Sequence, residues 1–154
     1  MNNLSSLYSE LEKYKDFDKD DNDEKFLDVV DKIVAFHDPK SLPVLLKYFD
    51  DEDSSWVLEC LKGSIKTCDY LDKKIYAKGI VENLHILMPK AKQWAEEFIY
   101  IIFNEPEGLE VIKQNPALIN NENFKGLLNI IYSESPMHRP IVDELKILLE
   151  QQGK

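Results

Sequence analysis

The chain has few glycines and no long hydrophobic run. Five glycines in 154 residues are too few for the many tight turns of an all-β domain, so helices are favoured over short strands. The longest strongly apolar run, residues 98–103, is far shorter than the ~20 residues that span a bilayer. The N-terminal residues show no basic stretch before an apolar segment. We therefore expect a cytoplasmic protein, with no membrane segment and no secretory leader.

Cysteine is also scarce, with only Cys60 and Cys68 present. The two residues are eight positions apart in one predicted helix, which separates them by ~12 Å. That distance is too long for a disulfide. We expect both thiols to be reduced, with Cys60 buried on the inner face of its helix, where a thiol is usually inert.

Basic residues are outnumbered, because 19 Lys and Arg stand against 29 Asp and Glu and give a formal net charge of -10. Residues 1–77 hold 11 basic and 18 acidic residues, whereas residues 78–154 hold 8 and 11. A surface this negative repels phosphates, so direct binding to nucleic acid or to an anionic membrane is not expected. A basic partner protein would complement the charge, and solubility alone is the other explanation of it.

Apolar residues recur at intervals of three and four along most of the chain, which predicts about nine helices joined by short turns. The first helix is predicted over residues 4–14. Pro39 is placed as the first residue of the third helix, Pro106 opens a later helix and Pro116 ends it. The predicted helix caps are Asp38, Asp53 or Ser54, Asp72, and Asn120 or Asn121.

Many short helices with short turns predict an all-α α-solenoid of stacked antiparallel helix pairs, formed as one domain over residues 1–154. One segment resembles a HEAT-type repeat. Its first helix shows Asp-Pro-x-x-Leu-Pro-x-Leu-Leu-x-x-Phe over residues 38–49, and its second helix carries Val57, Cys60 and Leu61. The rest of the chain resembles this repeat in helix spacing only.

The sequence offers no convincing metal site. The acidic stretch from Asp16 begins like a calcium-binding loop, but Asp21 stands where that loop needs glycine and Leu27 where it needs a bidentate glutamate. The three histidines are far apart and form no ligand pair. We expect neither a metal nor another cofactor.

Signatures of catalysis are missing as well. There is no Gly-rich phosphate loop, nucleophile elbow or kinase signature, and no hydroxyl or thiol has a neighbouring histidine that could act as its base. An enzyme on a HEAT-like scaffold, such as a DNA glycosylase, needs a basic groove, yet the longest basic cluster is the pair Lys73 and Lys74. We therefore do not expect an enzyme.

Two acidic tracts are the candidate interaction sites. Residues 50–53 are four consecutive acidic residues next to Trp56, and residues 16–24 form a second acidic tract. Aromatic anchors flanked by charge are typical of protein interfaces. The alternative is a solvated turn, with Trp56 packed against a neighbouring repeat. The predicted partner-binding residues are Asp50, Asp51, Glu52, Asp53, Trp56, Asp18, Asp20 and Asp21.

A short, acidic, HEAT-like chain with a leading Leu-x-x-Leu-Tyr helix over residues 4–14 resembles the immunity proteins of bacterial polymorphic-toxin and contact-dependent growth inhibition systems. Residues 38–49 and 53–65 also carry the resemblance. It implies a cytoplasmic protein that binds and neutralises a cognate toxin domain, often a nuclease. The acidity fits independently, because a nuclease attracts phosphates with basic residues. The alternative is a HEAT-like scaffold or adaptor with several partners.

Overall fold

The computed structural model describes residues 3–53, 55–67 and 73–152 of the chain. The described part is built from eleven α-helices and a single 3-10 turn, which confirms the prediction of an all-α fold. The chain divides into two compact units, residues 1–72 and 73–154. HEAT-like stacking of helix pairs and a single domain remain predictions.

The described helices of the first unit are α1 Leu4–Tyr14, α2 Asn22–Val34, α3 Ser41–Leu46 and α4 Trp56–Thr67. Those of the second unit are α5 Lys73–Glu82, α6 Leu84–Leu87, α7 Lys92–Phe103, α8 Pro106–Lys113, α9 Pro116–Ile119, α10 Glu122–Glu134 and α11 Arg139–Gln152. The 3-10 turn Pro136–His138 precedes α11. In the described part of the chain, every helix is too short or too polar to cross a membrane.

The core of the first unit forms where α1 packs on α2 and α2 packs on α4. Leu7 and Leu11 of α1 are fully buried, as their spacing of four predicts. Burial of a leucine side chain contributes about 1.5–3 kcal/mol. At the start of α1, the Asn3 side chain accepts a hydrogen bond from the backbone N–H of Ser6 at 2.9 Å, which satisfies one of the unpaired N–H groups of the first turn.

Helix α3 begins later than predicted. The side chain of Asp38 accepts a hydrogen bond from the N–H of Lys40 at 3.0 Å, and the hydroxyl of Ser41 donates to the Asp38 carbonyl at 2.8 Å. These contacts form a turn, and the helix starts at Ser41. A helix starting at Pro39 would need an N–H at Pro43 to bond the Pro39 carbonyl, and proline has none. The prediction of Asp38 as N-cap is therefore wrong.

The turn before α4 is held by two side chains. The carboxylate of Asp53 accepts from the N–H of Ser55 at 2.8 Å, and the Ser55 hydroxyl accepts from the N–H of Val57 at 3.2 Å. Ser55 therefore takes the capping position that was predicted for Asp53 or Ser54, and Asp53 supports it from outside the helix. Ser54 lies outside the described residues.

The buried stripe of α4 includes the predicted Val57 and Leu61, but Leu58 rather than Cys60 faces the core. Its buried apolar members are Val57, Leu58, Leu61 and Ile65. Cys60 lies outside this stripe and is exposed, so the prediction of a buried thiol is wrong. Leu58 offers more apolar surface to the core than a cysteine does, which favours this orientation of the helix. Cys68 lies outside the described residues.

In the second unit, α5 and α8 pack closely at Gly108. A β-carbon at Gly108 would lie 3.3 Å from the carbonyl oxygen of Lys73 and 3.5 Å from the β-carbon of Ala77. The two helices are also joined at their N-terminal ends by an ion pair between Lys73 Nζ and Glu105 Oε2 at 2.9 Å. Only glycine permits this approach of the two backbones without displacement of a neighbour.

Two of the predicted helix boundaries in the second unit are confirmed, and a third is confirmed in part. Pro106 opens α8 as predicted, and the Asn121 side chain caps α10 by accepting from the N–H of Phe124 at 3.1 Å. Pro116 does not simply end α8, because it also opens the one-turn helix α9. Proline favours a first helical position, where its missing N–H is not needed. Asp72, a predicted cap, lies outside the described residues.

Apolar spacing predicts that Ile75 of α5 and Trp94 of α7 face the core, but both lie nearer the surface. Ile75 is 41% exposed, and Trp94 is only half-buried. The buried residues of α5 are Tyr76, Ala77, Ile80 and Val81. Ile75 therefore lies outside the inner face of α5, whereas Ile80, which the same spacing selects, is fully buried.

Candidate partner-binding site

An open concavity of about 720 Å³ lies in the first unit. It is formed by the loop after α1, the first turn of α2 and the turn that leads into α4. The residues that line it are Lys15, Asp16, Phe17, Asp18, Asp23, Asp50, Glu52, Asp53, Ser55 and Trp56. Six of these are carboxylates and one is a lysine. The two acidic tracts, which are distant in sequence, therefore line one surface.

The loop after α1 supplies the first wall of the concavity. It is folded back on itself, because the Asp16 carbonyl accepts from the side chain of Asn22 at 2.9 Å and from the N–H of Lys19 at 3.2 Å. Asp20 has a left-handed backbone, with φ of 47°, a conformation that aspartate tolerates better than most residues. Within this turn the Asp16 carboxylate pairs with Lys19 Nζ at 3.4 Å.

Phe17 anchors this loop to the core. Its ring meets the ring of Phe26 edge-on, with centroids 4.9 Å apart, and Phe26 meets Tyr48 in the same way at 5.1 Å. Edge-to-face pairs of this kind contribute about 0.5–1.5 kcal/mol beyond the burial of their area. One aromatic wall of the concavity is thus continuous with the core of the first unit.

The turn before α4 supplies the second wall. The Asp50 carboxylate accepts from the N–H of Glu52 at 2.9 Å, and the N–H of Asp53 donates to the Asp50 carbonyl at 3.2 Å. Asp53 in turn accepts from the N–H of Ser55. Both carboxylates are therefore oriented by hydrogen bonds from the backbone of their own turn.

Trp56 stands at the edge of this second wall, as the first residue of α4. It is 53% exposed and lines the concavity. Half of its surface is therefore available for contact, next to the carboxylates of Glu52 and Asp53. A large aromatic beside charged groups is the usual composition of an interface anchor.

A charged network next to the concavity is centred on Glu12. One of its oxygens accepts from the Tyr48 hydroxyl at 2.7 Å and pairs with Lys47 Nζ at 3.0 Å, while the other pairs with Lys15 Nζ at 3.0 Å. The Tyr48 hydrogen bond, followed by the two lysines, lowers the pKa of Glu12 to about 2. Burial, and then the Glu12 carboxylate, raises the pKa of Tyr48.

Five of the predicted partner-binding residues line the concavity, namely Asp18, Asp50, Glu52, Asp53 and Trp56. The remaining three, Asp20, Asp21 and Asp51, lie in the same two loops but do not line it. Asp16, Phe17 and Asp23 also line it and lie in the predicted tract 16–24, although they were not among the eight named residues; Lys15 and Ser55 lie outside both predicted tracts. A single aromatic within an acidic run, as at Phe17, is the sequence signal that indicates an anchored loop.

A hydroxyl and a histidine do come together in the second unit, contrary to the sequence prediction. The Ser135 hydroxyl lies 2.6 Å from Nδ1 of His138. The His138 ring is buried beside the rings of Tyr100 and Phe103, at 5.0 and 5.8 Å, and its Nε2 atom has no hydrogen-bond partner. The contact spans the 3-10 turn, so it acts as a local support of that turn.

The described residues contain no group of three or more His, Cys, Asp or Glu side chains arranged to hold a metal ion.

Comparison with known proteins decides which family the chain represents. The sequence model of the family described as Immunity protein 30 matches residues 13–112, which is more than half of the chain. The chain belongs to the Immunity protein 30 family. No curated protein and no solved structure gives a match.

The Immunity protein 30 match begins within α1 and ends within α8, so it covers every residue that lines the concavity. Membership confirms the predicted resemblance to immunity proteins, the class of protein that binds a cognate toxin. The chain is therefore an immunity protein. Its toxin's reaction and its membership of a contact-dependent growth inhibition system remain predictions.

Proposed function

We propose that this immunity protein neutralises a basic nuclease toxin by covering the toxin's nucleic-acid-binding surface with the acidic concavity of the first unit. The observation that carries the proposal is the meeting of two acidic tracts around an exposed tryptophan. The whole of this surface lies inside the segment that matches the immunity family. The net charge of -10 also favours a basic partner.

The chemistry of a nuclease explains the charge. Such an enzyme binds phosphate groups with lysine and arginine, and these residues form a basic surface around its active site. Carboxylates can occupy the same positions as phosphates and accept the same hydrogen bonds. Opposite charges also steer the two proteins together, with association rates of up to ~10⁸–10⁹ M⁻¹s⁻¹. Fast capture is useful when the free toxin kills the cell.

The residues of the concavity have different roles in this proposal. Asp50 and Asp53, which the backbone already orients, accept hydrogen bonds from lysine or arginine of the toxin. Trp56 provides apolar contact area, since tryptophan is enriched among the few residues that carry most of the binding energy of an interface. Asp20 and Asp21, outside the concavity, add to the negative potential that draws the toxin in.

The proposal is tested with the purified cognate toxin domain and labelled RNA and DNA. We expect the toxin to cleave one of them, and the immunity protein to inhibit cleavage at a 1:1 ratio. Nucleic acid and immunity protein should compete for the toxin, because they use the same basic surface. A toxin that cuts neither substrate, or a ternary complex of toxin, nucleic acid and immunity protein, contradicts the proposal.

A matched pair of variants separates local from general charge. The variant E52Q/D53N removes two charges from the concavity and keeps a side-chain oxygen that can accept from Ser55. The control D143N/E150Q removes two charges from exposed positions of α11. Loss of two exposed charge contacts should weaken inhibition about tenfold in the first variant and little in the second. Equal effects in both would show that only net charge matters.

A further inference from the structure

Lys15 belongs to two environments. It is the one cationic residue among the described residues that line the acidic concavity, and its ammonium pairs with Glu12 at 3.0 Å. Glu12 does not line the concavity. The lysine that lines the concavity is thus paired with a carboxylate outside it, while Lys19, which does not line it, pairs with Asp16 at 3.4 Å.

Glu12 is itself fixed by several contacts. Its first oxygen binds both the Tyr48 hydroxyl and Lys47, which lie on the segment that follows α3. This leaves the second oxygen directed to Lys15. The orientation of the carboxylate, and with it the position of the Lys15 ammonium, is therefore set by contacts with a distant part of the first unit.

Loss of the Glu12 charge would free Lys15 to pair elsewhere. Lysine has a long flexible side chain with three donors. The carboxylate of Asp18 is close in sequence, whereas Asp16 already pairs with Lys19 at 3.4 Å. A lysine of the same chain competes at a high effective concentration with any cation from another protein. It would neutralise part of the surface that a basic partner needs.

We propose that Glu12 is a positioning residue that keeps the Lys15 ammonium paired with itself, so that Lys15, although it lines the concavity, does not neutralise the concavity's carboxylates. The inference rests on the proposed function, because it assumes that the concavity binds a basic protein surface. The inference adds that the ion pair between Glu12 and Lys15 controls how many of the concavity's carboxylates remain for a partner.

The substitution E12Q tests the inference. The oxygen of the glutamine amide can still accept from Tyr48 or Lys47, but its NH₂ group cannot accept a hydrogen bond from Lys15. The probe is a fluorescent hexa-arginine peptide, with binding measured by fluorescence anisotropy at low salt. We expect E12Q to bind the peptide about fivefold more weakly, which corresponds to one exposed ion pair.

Two double variants separate the inference from simpler explanations. E12Q/K15Q and E12Q/K13Q both restore the wild-type net charge, but only the first removes the released lysine, since Lys13 does not line the concavity. We expect E12Q/K15Q to bind the peptide like the wild type and E12Q/K13Q to bind it as weakly as E12Q. Rescue by both would mean that net charge alone acts. Rescue by neither would mean that Glu12 acts only through the fold. Either result overturns the inference.

Failure of the proposed function gives a different result. If the wild type does not bind the peptide, or if E52Q/D53N binds it as tightly as the wild type, the concavity is not a site for basic partners and both proposals are wrong. If E52Q/D53N binds weakly but E12Q binds like the wild type, only the inference about Glu12 is wrong.

Discussion

Replacement of Trp56 by alanine should weaken the complex with the toxin about thirtyfold. A tryptophan side chain has roughly 200 Å² of surface to bury, and Trp56 is 53% exposed, which leaves about 100 Å² for a partner. At ~25 cal/mol per Å² this surface contributes at most about 2.5 kcal/mol. Incomplete coverage brings the figure to about 2 kcal/mol, equivalent to thirtyfold in Kd.

The measurement is titration calorimetry of each variant with the purified toxin domain. The part of Trp56 that is already buried stabilises the free protein, so W56A should also lower the free energy of unfolding by about 1–2 kcal/mol. Binding is therefore measured far below the unfolding temperature. I75A is the matched control, because Ile75 is an apolar side chain that is 41% exposed in the second unit. An affinity within twofold of wild type for W56A, or an equal loss for I75A, would refute the reasoning.

Three further predictions concern the fold and are checked by urea unfolding. G126A should stabilise the protein by about 1 kcal/mol, because a β-carbon there meets nothing within 4 Å. G108A should lack this gain, because its β-carbon would lie 3.3 Å from the Lys73 carbonyl oxygen. An equal gain in both variants would contradict the close packing of α5 and α8. L11A should destabilise by about 2–5 kcal/mol, because Leu11 is fully buried, and a loss below 1 kcal/mol would count against that burial. The pKa of Glu12 falls from 4.5 to about 2 on folding, so its ionised form stabilises the protein above pH ~4.5 and this contribution disappears as the pH falls toward 2. Because Glu12 is exposed, E12Q should lower the free energy of unfolding by only about 1 kcal/mol at pH 6. A loss that stays constant down to pH 2.5 would contradict the assignment.

Local patterns predicted much of the helical structure. The spacing of Leu7 and Leu11 predicted a buried stripe on α1, and the structure buries both. Asn121 was predicted to cap α10 and does so. Both features depend on residues within one or two turns of each other, and for this reason they can be inferred from a single sequence.

The errors have physical causes that local patterns do not contain. The start of α3 depends on Pro43, which cannot donate the hydrogen bond that an earlier start requires. The exposure of Cys60 follows from which side of α4 meets α2, and that depends on the whole core. Helix periodicity defines an apolar stripe only to within about one residue, so tertiary packing decides its final position.

The candidate site, too, could be predicted only in the features that depend on residues close in sequence. Acidic composition and an adjacent tryptophan indicated the tract at residues 50–53, but the sequence could not show that residues 16–18 line the same concavity. That meeting depends on the packing of α2 against α1 and α4. The Glu12 network was missed for the same reason, because Glu12 and Tyr48 are 36 positions apart.

The central claim is that the acidic concavity of the first unit contacts the toxin. Hydrogen–deuterium exchange of the immunity protein, free and saturated with the toxin domain, tests it most directly. We predict slower exchange of the backbone amides at residues 15–23 and 50–56 in the complex, because a bound partner excludes water from these loops. Protection confined to residues 73–152, with unchanged exchange in both loops, would contradict the claim.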